Sequence, residues 1–362
     1  MIRTEEIHFR MVRDDVTYGE IFAESSPTLR VNGNSEIKRS LQGTFLPYAV
    51  DDLATIQEID WMRDEIKPCL IIDGVEYPLG ILMPASITPT KSNGKTTLKI
   101  EAYDRCWRVR DYKVITRVSI AKGTKYTDAI ESILAECGIA RMVITPSELT
   151  FGSARDDWEQ GTSYLSIVNE LLGEMNYKSL WFDGSGTAII EPASEPSVQY
   201  IKHSFIDRKK DPANEKEINM INIFPKVSKT TDIYQKPNVF VCICSNPDLS
   251  TSYTYRMSNR NPESPLSIQR RGRQIVDVEQ VNNIASSTAL RDYTRRKLLE
   301  SMTTGEIIEF QTLLQPDFGV DDVCSIAFED LSGICIEHEW EMHLTPGGTM
   351  SHKLERVVMN LD

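Results

Sequence analysis

No stretch of this 362-residue sequence has the run of about 18 apolar residues that a membrane-crossing helix needs. The opening residues, MIRTEEIHFR, are polar and charged and lack the apolar region of a secretion signal. That argues against the ordinary secretory route. Also missing are a Gly-x-Ser-x-Gly elbow, a Gly-x-x-x-x-Gly-Lys loop and a Gly-x-Gly-x-x-Gly fingerprint. These absences remove the usual signatures of serine hydrolases, P-loop nucleotide enzymes and dinucleotide-binding domains. No low-complexity tract or solenoid-period repeat occurs. Positive charge is in deficit: 40 Lys and Arg face 53 Asp and Glu, for a net charge of -13. Such a balance argues against a general nucleic-acid binder, but excludes neither a locally basic patch nor a protein that must let DNA pass without holding it. The seven cysteines are odd in number and follow no framework spacing, which points to reduced thiols and a cytoplasmic origin.

What is present is 40% apolar residues with a mildly negative mean hydropathy of -0.31, as in a soluble globular protein of two or three domains. The pattern predicts an α+β protein, mainly antiparallel β. Residues 1–113 read as strands and tight turns. Asp73-Gly74 and Asn93-Gly94 each separate β-rich runs, the sequence form of a two-residue hairpin. The stretch SEIKRSLQGTFLPYAV adds a further strand, and Pro47, Pro68 and Pro78 suit strand edges. A mostly antiparallel sheet or barrel is the expected form of this part.

Residues 114–194 read as a small α+β domain. Ala129, Ile130, Ile133, Leu134 and Cys137 form one apolar stripe, with Thr124 or Thr127 as N-cap and Gly138 as stop. A second helix, capped by Thr162, carries Tyr164, Leu165, Val168, Leu171, Leu172 and Met175 at helical spacing. KSLWF-DGSG-TAIIEP then makes a hairpin. Residues 195–362 return to strands, after a charged loop or boundary at YIKHSFIDRKKDPANEKEI. One long helix is predicted over about 277–302, with Val281, Ile284, Ala285, Ala289, Tyr293 and Leu299 on one face. Four strands follow it. A helix set among strands, rather than alternating with them, disfavours a doubly wound parallel sheet.

Candidate chemistry is sparse. In CIEHEWEMH, His343 falls one place late for a His-Glu-x-x-His zinc site. As a strand, the stretch places Ile336, His338, Trp340, Met342 and Leu344 on one face and Glu337, Glu339, Glu341 and His343 on the other. Cys242, Cys244, Cys324 and Cys335 lie in apolar strand patterns and are expected in the core. The DGSGT stretch at Asp183 reads as a turn. The pairs Asp51-Asp52, Asp156-Asp157 and Asp321-Asp322 are expected at the surface, where charged side chains mostly lie. QRRGRQ is the one concentrated basic spot, and Arg270, Arg271 and Arg273 are the candidate partner-contact residues. No catalytic, metal or cofactor-binding residue emerges.

Several segments together resemble the baseplate hub, or tail hub, of tailed phages and related contractile particles. They are EIKRSLQGTF, EIDWMRDEIKPCLIIDGVEYPLGILMP with its Asp60-Trp61-x-x-Asp64, and KIEAYDRCWRV. KGTKYTDAIESILAECGI and WEQGTSYLSIVNELLGEMNYKSLWFDGSGTAIIEP are similar to the helical insert of these hubs. NNIASSTALRDYTRRKLLE ahead of LLQPDFGVDDVCSI completes the likeness, which spans nearly the whole chain.

The resemblance implies two tube-like β-barrel domains per chain with a small insert between them. Three chains would form a ring joining a sixfold tail tube or distal tail protein to a threefold central spike or tip. Tape measure protein and DNA would pass through its lumen, and an acidic bore would favour that transit. It further implies a virion tail location, assembly in the host cytoplasm, a non-enzymatic role and no cofactor. Some members carry a peptidoglycan hydrolase domain; here the sequence ends directly after its last expected strand, so none is expected. The Asp156–Pro192 unit is then a packing module, with Tyr177 and Trp181 as its large buried side chains. Two rival readings are a peptidoglycan hydrolase using the acids around Glu337–His343, and a receptor- or glycan-binding tail-tip protein.

Overall fold

The computed structural model describes residues 3–156, 158–193, 196–207, 220–231, 236–244, 252–281, 287–301 and 303–357. The first third is strand throughout: β1 (Glu5–Arg13), β2 (Val16–Ala23), β3 (Thr28–Asn32) and β4 (Arg39–Val50) come first. β5 (Ile56–Gln57), β6 (Glu65–Ile72), β7 (Val75–Pro78), β8 (Leu82–Ser92) and β9 (Lys95–Asp104) follow. Both Xaa-Gly turns form as their sequences predict. Asp73 and Gly74 have φ of 49° and 83°, Asn93 and Gly94 49° and 79°, the left-handed pair that matches strand twist. A short helix, α1 (Cys106–Asp111), closes this part; no pattern in KIEAYDRCWRV foretold it.

Helices α2 (Tyr126–Glu136) and α3 (Tyr164–Glu174) lie where their stripes predict. Their caps differ from expectation. Lys125, not Thr124 or Thr127, precedes α2 and gives no side-chain cap, because Thr127 is already inside the helix and buried. Ser163, not Thr162, caps α3, its hydroxyl accepting from the Ser166 N–H at 3.1 Å. β10 (Met142–Ile144), β11 (Trp181–Phe182) and β12 (Ala188–Ile190) form a small sheet of order β10-β12-β11 against these helices.

β13 (His203–Ile206) lies in a segment expected to be loop. Its buried Phe205 and its parallel pairing to two strands explain the error: the partners, not the local sequence, make it a strand. β14 (Met220–Asn222), β15 (Ser228–Thr231), β16 (Val239–Cys244), β17 (Tyr253–Ser258) and the short α4 (Ile268–Arg271) come next. The predicted long helix over 277–302 is also corrected. β18 (Val276–Val281) occupies its start and α5 (Ser287–Ser301) its remainder, while Ile284 and Ala285 of the predicted stripe lie outside the described residues. Val276, Val278 and Val281 are β-branched and pair in parallel with β16, which outweighs a helical spacing shared by chance. The chain closes with β19 (Thr303–Leu313), β20 (Asp322–Phe328), β21 (Leu331–His343) and β22 (Thr349–Val357).

Sixteen strands make one antiparallel-dominated sheet. In the amino-terminal half, pairings run β4-β2-β1-β6-β8-β9, and β9 returns to β4 through Ser40↔Tyr103 to Phe45↔Leu98. In the carboxy-terminal half they run β14-β13-β20-β21-β22-β19-β15. Just after β14, the Phe224 N–H donates to the Gln311 carbonyl of β19 at 2.9 Å, which brings that end of the path against β19. β3 joins the two sets, pairing β4 along one edge and β21 along the other. One hydrophobic core accordingly runs through both, from Phe9, Met11 and Phe45 to Phe205, Trp340 and Met342. α2, α3 and the small sheet enclose a separate core. A third, much smaller one sits between the sheet β17-β16-β18 and α5, where Cys242 and Cys244 pack on Leu290 and Tyr293.

Candidate functional site

β21 changes partners part-way along its length. Its first half pairs with β20 as far as Asp322↔Glu337, and its second half pairs with β3 from Glu339↔Asn32 onward. His338 lies between, in a bulge where the β22 register steps from Glu337↔Leu354 to Glu339↔Lys353. The extra residue inverts the alternation of the strand. Cys335 and Glu337 point into the core before the bulge, and Trp340 and Met342 after it. The expected faces are therefore corrected: His338 does not share the buried face of Trp340, and Glu337 is buried at 1% exposure.

The bulge is held from both sides. The Gly33 N–H, just after β3, donates to the His338 carbonyl at 2.7 Å. A Cβ on Gly33 would sit 2.4 Å from the Asp321 carboxylate, so any larger residue there must displace that side chain. The His338 ring meets Asp321 at 2.7 Å through Nδ1 and Glu355 at 3.4 Å through Nε2. Burial disfavours its cation, but these two carboxylates prevail and raise its pKa to about 9. Next to it, Asp322 is buried rather than at the surface as expected. It accepts from Lys202 Nζ at 2.6 Å and from the Gly319 N–H at 2.8 Å. Against the cost of burial, these donors and His203 hold the carboxyl down at about 2. Asp51 and Asp52 remain at or near the surface as expected, and Asp157 of the third pair lies outside the described residues.

Behind the bulge, Glu337 Oε1 lies 2.5 Å from His352 Nδ1, and His352 Nε2 lies 2.8 Å from Thr312 Oγ1. All three are buried. The His352 ring is boxed by Phe205, Phe310 and Phe318 at centroid distances of 4.8, 5.1 and 5.4 Å. In that apolar surround burial drives His352 down to about 3 and Glu337 well above its ordinary range, so the pair is neutral and shares one proton. Nothing in the period-two pattern marks these residues; the signal is only that an acid stands where a bulge places the core.

A cleft of about 810 Å³ opens beside this junction, lined by Asn176, Lys178, Lys202, Arg296, Asp321 and His338 among others. Its walls come from the α2–α3 unit, from α5 and from β20–β21. Lys178 Nζ donates to the Val320 carbonyl at 3.4 Å, and Arg296 donates to the Tyr177 carbonyl at 3.3 Å. The α2–α3 unit is thereby fastened to its neighbours. Trp181 reaches into the main core, Arg39 donates to the Asp183 carbonyl at 3.0 Å, and Gly184 comes so close to the Pro78 carbonyl that a Cβ would be 2.1 Å away. Tyr177 and Trp181 are each 7% exposed, as a packing module requires.

The three arginines are brought together on α4 and its end. Gly272, with φ of 63°, stops the helix. Arg270 Nε donates to the Pro262 carbonyl at 2.9 Å and Arg271 to the Lys236 carbonyl at 2.6 Å, while Arg270 and Arg273 are exposed. Among the described residues, no three His, Cys, Asp or Glu are grouped so as to hold a metal ion. The seven cysteines are buried and none is joined in a disulfide. No helix among the described residues is long and apolar enough to cross a membrane.

No family model matches this sequence, and neither does any curated protein sequence. Solved structures do. A tail protein from Neisseria meningitidis MC58 superposes with a TM-score of 0.67 at 12% identity, over 97% of this chain and 96% of that one. The 43 kDa tail protein of prophage MuSo2 from Shewanella oneidensis gives 0.65 at 11%, over 97% and 98%. An E. coli component of the type VI secretion system, itself described as structurally similar to the T4 tail proteins gp27 and gp5, gives 0.51 at 9%, over 96% and 77%. The fold is that of phage tail and baseplate proteins, as the resemblance in sequence implied.

Proposed function

We propose that this chain is a tail hub, a structural protein of the virion tail tip. Three copies form a ring that joins the sixfold tail tube to a threefold spike and lets tape measure protein and DNA pass. The observation that carries this reading is the two sets of paired strands in one polypeptide, linked by β3. Two similar β modules per chain, three times repeated, approximate six equivalent positions toward the tube. The reading takes the two strand sets as two tube-like barrels, within residues 1–113 and 195–362, with 114–194 as the insert. The net charge of -13 favours a bore that repels phosphate. The exposed Arg270 and Arg273, with Arg271 steadying their turn, are the proposed contact to a tail partner. Electron microscopy of the purified protein tests the reading: rings with a central hole and threefold symmetry are expected, at three times the 41.1 kDa chain mass. A stable monomer at all concentrations overturns it.

A role as peptidoglycan hydrolase finds no support in the arrangement of acids around Glu337–His343. Glu337 is in the core, Glu339 is paired to Arg30 at 2.5 Å, and Glu341 faces His343 at 3.8 Å. They do not converge on one cleft. Zymography on peptidoglycan should show no clearing; clearing by the wild type that is lost in Glu339→Gln would make the protein an enzyme.

A further inference from the structure

Residues 77–100 contain Lys91, Lys95 and Lys99 and not one Asp or Glu, in a chain whose acids outnumber its bases. This span forms most of the β8–β9 hairpin, and the hairpin outruns the sheet that carries it. β4 follows β9 only as far as Phe45↔Leu98, and β6 meets β8 only at Ile66↔Leu82. Beyond those points the two strands have each other alone, and residues 88–95 are all exposed. Lys95 pairs with Glu24 of the same chain; Lys91 and Lys99 make no ion pair among the described residues. Pro84 and Pro89 lack the N–H that a strand added to this edge would need, so a partner must be met through side chains.

We propose that this hairpin is a docking arm whose lysines seat on a carboxylate-bearing face of a second copy of this chain. The inference rests on the ring reading above. Charge complementarity selects the occupant, since a basic arm on an acidic protein has its counter-surface on every other copy. One such surface is the connection from β4 through β5 to β6. It exposes Asp52, Glu58 and Asp60 together with Leu53, Ile56 and Met62, which are 86%, 69% and 93% exposed. Apolar side chains this bare, beside acids that form no ion pair among the described residues, are what a covered face requires. Two different surfaces on identical chains make a head-to-tail contact, the kind that closes into a ring.

The test is zero-length carbodiimide cross-linking of a mixture of unlabelled and ¹⁵N-labelled full-length protein. Peptides of mixed isotope joining Lys91 or Lys99 to Asp52, Glu58 or Asp60 are expected. Lys91→Glu with Lys99→Glu should raise the concentration for half-assembly about tenfold at low salt, and Asp52→Lys with Glu58→Lys in the same chain should restore it. Rings that persist unchanged in the reversed variant, without mixed peptides, overturn the arm and leave the ring intact. A wild type that never assembles overturns the ring reading itself, and the arm with it. Retardation of duplex DNA that the reversal abolishes, again without mixed peptides, assigns the lysines to phosphate and overturns the proposal.

Discussion

Glu337 and His352 hold one proton between them in the folded chain, which dictates how stability follows pH. Folded, the pair keeps that proton from about pH 3 upward; unfolded, it binds two protons below 4.5, one between 4.5 and 6.5, and none above. Its contribution is therefore greatest between 4.5 and 6.5, falls as pH drops toward 3, and falls again as pH rises past 6.5. Denaturant unfolding across this range should show both slopes reduced in a double variant, Glu337→Leu with His352→Phe. His338 adds a further alkaline slope. Its folded pKa is raised from 6.5 to about 9, so its stabilisation is full below 6.5 and lost as pH climbs through 9. In His338→Gln that part of the slope should be missing. Gly33→Val drives a side chain into Asp321 and should cost about 2 kcal/mol through overpacking at the bulge.

Individual elements carry their own consequences. Ser163→Ala removes the only side-chain cap of α3 and should lower stability by about 1 kcal/mol, read as a shift in denaturation midpoint. Gly184→Ala is a harsher change, since its Cβ would meet backbone rather than a flexible side chain. It should loosen the α2–α3 unit from the first strand set by about 2 kcal/mol while leaving that unit's own core intact. Limited proteolysis between residues 105 and 125 should then accelerate, with α2 and α3 surviving as a fragment. α2 and α3 were legible because each apolar stripe faces a core built within the same 80 residues. β13 was not, because its identity comes from β14 and β20, one of them some 120 residues away.

For the molecule entire, the shared core makes the two strand sets one cooperative body. Hydrogen exchange should be slowest and closely matched at Met11, Leu41 and Met342, which are fully buried in that core though spread along the whole chain. The β17-β16-β18 sheet and α5 enclose only small clusters and should exchange sooner. Two separate global exchange rates for the halves would mean that β3 does not bind them together.

Local chemistry alone settled the two Xaa-Gly hairpins, the helix stripes of α2 and α3, the closing strands and the burial of the cysteines. Each depends on neighbours close in sequence, where turn angles and side-chain period act directly. Tertiary structure alone decided the bulge at His338, the burial of Glu337 and Asp322, the strand at 276–281 and the bridging place of β3. Those features arise where segments as distant as Arg30 and Glu339 meet, and a one-residue slip in register there exchanges core for surface.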